Sequence, residues 1–407
     1  MKRKKNLYDK IVDLKKIQEI YQKRIRINTK NKAKLEVFED HYTSNITYIK
    51  LLLEQRKYVP RRYHIFLVKE PKIRLIMSQD IIDKIINHMV SKYILVDIFD
   101  KVLINENIAT REGRGTHYGI HLLKKYLNEI KEYDQFYILK FDIKKYFYNL
   151  DHEIIKKQIS KKIKDKEALK ILYDIIDSTD EPYINQNIET LKKRELLKLE
   201  KKQFIENKEY LKKQIEEIPY YRKGKGLPIG NMSSQVLAIL YLNELDHFIK
   251  EKLKIKYYIR YMDDGIILNE NKEYLEYCLK EIKKIIYKYQ LELNQKTKIY
   301  SSKEGFEFLG FRYVIKNNKV IMKVKNQTKK RFKRKMKKFQ KLYEQDKITK
   351  NEVLQVKNSY IGHLNYGNSK KLIQQNTQLK KQVIIHKLTL EHNEIKEETH
   401  ILEYNSF

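Results

Sequence analysis

The sequence predicts an α+β fold in which short buried strands are set among longer amphipathic helices, and three observations predict it. Apolar residues recur at three- and four-residue steps over long stretches, as in Ile11, Leu14 and Ile17, and again in Ile46, Ile49 and Leu53. Short apolar runs of strand length interrupt this helical text in RRYHIFLVKEPKIRLIM, YILKFD and YIRYMDDGIILN. Only 11 Gly and 5 Pro punctuate 407 residues, so the elements are joined with few strong breaks.

In chain order, the first 58 residues read as helical. RRYHIFLVKEPKIRLIM follows as two strands joined by a turn at Glu70-Pro71-Lys72, and helices are expected over 79–103 and 117–131. YILKFD is a buried strand ending on Asp142, and IKKYFYNLDHEIIKKQI starts a helix after it. From about 186 to 217 the text is charged, with nine Lys/Arg against seven Glu over 189–217. It reads as one long helix or a helical hairpin with mixed-charge faces, either a solvated surface arm or a docking arm for a partner. From Lys325 to Lys341 ten of seventeen residues are basic and none is acidic, while Phe332, Met336 and Phe339 keep a helical stripe. No internal repeat is present, and residues 388–407 read as a loosely held tail.

With 41% apolar residues the chain supports a sizeable core. Its 87 Lys+Arg against 53 Asp+Glu leave +34, a field that favours polyanions and makes nucleic acid the leading partner class. A coding bias toward Lys, Ile, Asn and Tyr accounts for part of that excess, so charge only supports the assignment. The single cysteine, Cys278, excludes an internal disulfide and a Cys-based zinc site, which makes a reducing, cytoplasmic setting the default. The start MKRKKNLYDK carries no signal-peptide pattern, and no run approaches the ~18 apolar residues of a membrane span.

YIRYMDDGIILN places two adjacent carboxylates, Asp263 and Asp264, at the tip of an apolar hairpin. Like charges beside a core raise one another's pKa unless a cation neutralises them, and hard oxygen ligands select Mg²⁺ or Mn²⁺. Asp-Asp-Gly is equally ordinary chemistry for an exposed turn, so two readings compete on this stretch alone. Asp142 ends a strand 121 positions earlier. If the strands are antiparallel neighbours, the carboxylates converge on two divalent ions about 3.5–4 Å apart, the arrangement for in-line phosphoryl transfer.

FDIKKYF, GLPIGNMSSQ, YMDD, LNQKTK and FEFLGF, in this order, resemble the palm motifs of reverse transcriptases of the prokaryotic group-II-intron-like branch. The resemblance spans roughly 58–313. A weaker echo in KNSYIGHLNYGNSKKL (357–372) is similar to the thumb of diversity-generating retroelement polymerases and their antiphage-defence relatives. It implies a right-hand polymerase: an N-terminal helical extension (1–58), fingers (59–135), a palm with an antiparallel sheet (136–322, holding the charged insertion), and a basic helical thumb (323–387).

It further implies that Asp142, Asp263 and Asp264 are metal ligands and that Phe147 is the steric gate against a ribose 2′-hydroxyl, the competing reading of Phe147 being a core aromatic. Lys72 and Arg74 would grip the incoming triphosphate. Gly230 would allow close approach to the nucleotide pair, with Gln235 on the helix beneath. Lys296 would give a proton to pyrophosphate, a role for which Lys298 competes. Phe308, Leu309 and Gly310 match the primer grip, and Lys329, Lys330, Arg331, Lys333, Arg334 and Lys337 would track the duplex.

One position departs from the superfamily pattern. Ile229 stands where most members carry a glutamine, a variant found in diversity-generating retroelements and in some defence polymerases. The expected partners are an RNA template, a DNA/RNA duplex, deoxynucleoside triphosphates, a noncoding RNA and an accessory protein, with no membrane. Fewer than 100 residues follow FLGF, so partners are expected to supply template degradation and target cutting. A template-independent or protein-primed polymerase, and a decayed RNA-binding scaffold, are the alternatives.

Overall fold

The computed structural model of the chain describes residues 3–70, 72–133, 135–201, 208–367, 369, 373 and 374. Pro71, the end of the thumb text and the 388–407 tail lie outside the described residues. Two compact units are present: one runs to Tyr126 and resumes over Phe136–Ile299, and the other takes Leu127–Gln135 and the chain from Tyr300 onward.

In the first unit, α1 (Leu14–Ile20), continued by a π-helical stretch, is followed by α2 (Lys32–Asp40) and α3 (Tyr42–Glu54). Asp13 and Asn31 start α1 and α2 by accepting from the backbone N–H three residues on. The expected hairpin follows as β1 (His64–Val68) and β2 (Arg74–Ser78), paired antiparallel from His64↔Ser78 to Val68↔Arg74. α4 (Ile81–Val90) runs through a π-helical stretch into α5 (Asp97–Phe99), and α6 (Thr116–Ile130) belongs to this unit as far as Tyr126 and to the second from Leu127. β3 (Tyr137–Phe141), α7 (Tyr146–Asn149), α8 (His152–Ser160) and α9 (Lys166–Asp177) come next.

The charged segment forms a helical hairpin, α10 (Pro182–Glu200) and α11 (Lys208–Glu216). It is not a solvated arm. Ile184, Ile188, Leu191 and Leu199, one stripe of α10, are buried in a cluster with Leu75 and Met77 of β2 and Ile215 of α11. Glu195, buried on the same stripe, is paired with Lys69 at 2.6 Å. Burial of this face offsets the hydration that its charges suggest.

α12 (Met232–Tyr241) and α13 (Asn243–His247) lead to the hairpin β4 (Tyr257–Tyr261) and β5 (Asp264–Asn269), and α14 (Lys272–Lys288) and β6 (Lys298–Ser301) follow. The sheet order is β4-β5-β3-β6. β5 is therefore central, and its side chains Ile266, Ile267 and Leu268 are buried.

In the second unit, β7 (Phe306–Phe308), β8 (Phe311–Lys316) and β9 (Lys319–Val324) form an antiparallel sheet in that order. These strands, read from the sequence as palm, belong with α15 (Asn326–Glu344) and α16 (Lys350–Leu364). Phe332 of α15 packs against Tyr360 of α16 with the rings tilted and their centres 5.0 Å apart, and Phe311 stacks on His363 at 4.6 Å. Among the described residues no helix is long and apolar enough to cross a membrane.

Candidate active site

Side chains alternate along a strand, so Lys140 and Asp142 leave the face of β3 opposite to Leu139 and Phe141. The β3–β5 register pairs Lys140 with Ile266 and Phe141 with Gly265. Carried one step further, that register sets Asp142 opposite Asp264 at the ends of neighbouring strands. The β4–β5 turn supplies Asp263 between them, with Tyr261 paired to Asp264 and Met262 in the left-handed region at φ 58°. Gly265 is required where it stands, because a Cβ there would collide with the Phe141 ring. The antiparallel adjacency on which convergence of the three aspartates depends is present.

Behind the turn, Arg260 is fully buried against the fully buried Asp246 of α13. Its Nε donates to Asp246 Oδ1 at 2.7 Å and its Nη2 to Oδ2 at 2.6 Å. The same guanidinium donates to the carbonyl of Met262 at 2.6 Å and to that of Ile239 at 2.8 Å. Tyr258 Oη and Asn107 Nδ2 complete the shell of Asp246 at 2.7 and 3.2 Å. Bidentate pairing with every lone pair used is the condition under which a buried ion pair is tolerated. The sequence reading missed Arg260. Its signal was an arginine inside an otherwise apolar strand, since a buried guanidinium always needs a partner.

Burial, reinforced by the charge of Asp142 and then of Asp264, pushes the Asp263 carboxyl up to about 7. Asp264 has a cation already, Lys140 at 3.3 Å. The Asp142–Asp263 pair offers oxygen donors alone, which suits a hard divalent cation. A second group, His152 with Asp177 and Asp180, brings its possible ligand atoms within 4.8 Å of one another. His152 Nδ1 lies 3.0 Å from Asp177 Oδ1 and Nε2 2.7 Å from the carbonyl oxygen of Gly226, so both ring nitrogens are already engaged by protein oxygens. This histidine pins the 224–228 segment to α8.

The other expected residues fall as follows. Lys296 sits in an exposed turn hooked onto the backbone of Asp142: Asn294 N–H donates to the Asp142 carbonyl at 2.7 Å, and Asp142 N–H to Thr297 Oγ1 at 3.4 Å. Phe147, half-buried on α7, packs on the main core, and its carbonyl accepts from Leu227 N–H at 2.8 Å. The Ile229 carbonyl accepts from Met77 N–H at 2.9 Å, joining this segment to β2. A Cβ on Gly230 (φ 140°) would stand 2.5 Å from the Met77 carbonyl oxygen, so the close approach made here is to β2. Gln235 lies in the first turn of α12 and accepts from Thr110 Oγ1 at 3.4 Å. Lys72 and Arg74 are exposed at the tip of the β1–β2 hairpin.

In the second unit, Leu309 (φ 48°) and Gly310 (φ 86°) form the two-residue turn between β7 and β8, and the Phe308 side chain is buried. Lys330, Lys333, Arg334 and Lys337 are exposed on α15, with Lys329 and Arg331 half-buried.

The family model described as "Reverse transcriptase (RNA-dependent DNA polymerase)" matches residues 68–313. No curated protein matches the sequence. Among solved structures, telomerase from Candida albicans in complex with the TWJ fragment of telomeric RNA is similar at 14% identity and a TM-score of 0.39. The similarity covers 71% of this chain and 52% of that one, so the chain spans about half of that structure's length.

Proposed function

The chain belongs to the reverse transcriptase family, and from that premise we propose that it is an RNA-directed DNA polymerase, a nucleotidyltransferase extending a primer along an RNA template with deoxynucleoside triphosphates. The observation that carries the reading is the half-buried Asp142–Asp263 pair at the ends of neighbouring strands, where desolvation and the charge of Asp142 push the Asp263 carboxyl up to about 7. Asp142 and Asp263, with Asp264 beside them, would hold Mg²⁺, for which Mn²⁺ substitutes. When bound, such ions activate the primer 3′-hydroxyl and neutralise the departing pyrophosphate.

The protein groups do the rest. Lys72 and Arg74 grip the triphosphate, Phe147 fills the space of a 2′-hydroxyl, and Ile229, Gly230 and Gln235 border the nascent pair. Lys296 gives a proton to pyrophosphate, Phe308, Leu309 and Gly310 hold the primer, and α15 follows the duplex. Asp263→Asn tests the assignment: the chain keeps its fold and its nucleic-acid binding while primer extension falls by several orders of magnitude, because charge stabilisation at the reacting phosphate has no substitute. Undiminished extension by Asp263→Asn would overturn the assignment, and absence of extension by the wild-type chain would instead mark a decayed scaffold that binds RNA.

Ile229 supports the finer assignment to a diversity-generating retroelement, working with a noncoding RNA and an accessory protein. An apolar side chain contributes about 1–3 kcal/mol of discrimination and is blind to hydrogen-bond pattern, so copying is error-prone. Ile229→Gln alters the error spectrum opposite template adenine without abolishing extension, as read by sequencing complementary DNA from one defined RNA. An unaltered spectrum favours an antiphage-defence polymerase, and product made without template marks the template-independent or protein-primed form.

A further inference from the structure

Next to the turn that follows Asp142 lies a cavity of about 430 Å³ lined by Lys144, Lys145, Tyr148, Tyr220, Arg222 and Lys225. One lining carboxylate, Glu292, answers Lys144 at 3.2 Å. Lys225 shares Asp151 at 3.9 Å and donates to Gln290 at 2.6 Å. The other two cations bond to neutral oxygens. Arg222 donates to Asn149 Oδ1 at 2.8 Å, and Lys145 Nζ to the carbonyl of Glu217 at 3.4 Å. Lys145 leaves a left-handed backbone (φ 49°, ψ 45°), unusual for a residue with a long side chain, at the bend from β3 into α7.

Of the two rings that line it, Tyr148 belongs to α7 and Tyr220 lies just past the helical hairpin that the sequence singles out and the polymerase reading leaves without a role. Tyr220, 42% exposed, follows α11. Glu189 of α10 accepts from its hydroxyl, and Lys192 Nζ stands 4.1 Å from the ring centre. Tyr148 packs against Tyr221 at 5.0 Å and is equally fixed. Rigid rings beside guanidinium and ammonium groups are the chemistry that receives a base and its phosphate. A bare anion would have no use for the rings, and a lipid chain would meet too many charges. The volume lies within the range of small-ligand pockets.

We propose that this cavity is a second nucleotide-binding site, taking the phosphate at Lys145 and Arg222 and the base against Tyr220. The nucleotide is either free or one unit of a single strand. No metal and no turnover are required, so the site stands apart from the polymerase reading.

The chain has no tryptophan, and Tyr220→Trp therefore introduces a single indole at the cavity. It is placed in an Asp263→Asn background and titrated without metal, using dATP, an RNA tetranucleotide and inorganic tripolyphosphate. Saturable quenching by dATP or the tetranucleotide is expected, weakened at least fivefold by adding Arg222→Gln or Lys145→Gln. Tighter binding of the tetranucleotide identifies a strand, and tighter dATP binding a free nucleotide. Absence of quenching, insensitivity to both substitutions, or equal quenching by tripolyphosphate would overturn the proposal. If Tyr220→Trp does not fold, Tyr148→Trp reports from the same cavity. Because the background is already inactive, neither result depends on whether the chain polymerises.

Discussion

Arg260 holds the carbonyl of the residue just before Asp263, and so its role is to fix a turn rather than to touch substrate. Replacing it alone leaves Asp246 buried and unpaired. Arg260→Gln is expected to cost about 3–5 kcal/mol, the usual penalty for breaking a buried pair. Arg260→Met with Asp246→Leu removes both charges and restores most of that stability, since apolar replacements of buried pairs are often neutral. The hold on Met262 is still lost. Urea unfolding together with extension rate separates the two effects: the double variant folds near the wild-type midpoint yet extends at least tenfold more slowly. Wild-type extension in the double variant would reduce Arg260 to a packing residue.

Among the elements, α15 offers the clearest reading of charge. It packs by Phe332 and exposes Lys333, Arg334 and Lys337. Neutralising these three is expected to lower the log–log salt slope of duplex binding by roughly one unit for each phosphate that a side chain no longer neutralises. An unchanged slope in a salt titration of affinity would leave that face merely solvated. This helix was legible in the sequence because its apolar stripe and its charge fall on different faces. The strands bearing Asp142 and Asp263 were equally legible, being short apolar runs that end in carboxylates. The α10–α11 hairpin was read as helical, but its side was not: Lys192 and Glu195 are buried, and long charged side chains can lie along apolar surface without the pattern announcing it. Gly230 was marked by type, yet its neighbour Met77 lies 153 positions away in sequence, a proximity that only tertiary structure creates.

At the scale of the molecule, stability should depend on pH through carboxylates whose burial outweighs the pull of the nearest cation, which for Asp83 is Arg61. Asp83 of α4 is fully buried, and burial pushes it from 3.8 up to about 6. The folded state therefore binds its proton more tightly than the unfolded chain does. Its contribution is present below about 4 and is lost as pH rises through 6. Asp83→Asn removes that term, so between pH 5 and pH 8 the variant should gain about 1.5 kcal/mol relative to wild type in urea unfolding. No relative gain would mean that Asp83 is solvated. Order of assembly follows from another feature, the Phe141–Gly265 pairing. During synthesis β3 emerges with Asp142 at its end, but its partner β5 leaves the ribosome well over a hundred residues later. Loops of that length close slowly, and an unpaired apolar strand is prone to mispairing meanwhile. The elements made in between, α7 to α13 and β4, precede that partner, so a nascent chain shorter than β5 holds Asp142 and only part of the proposed metal site.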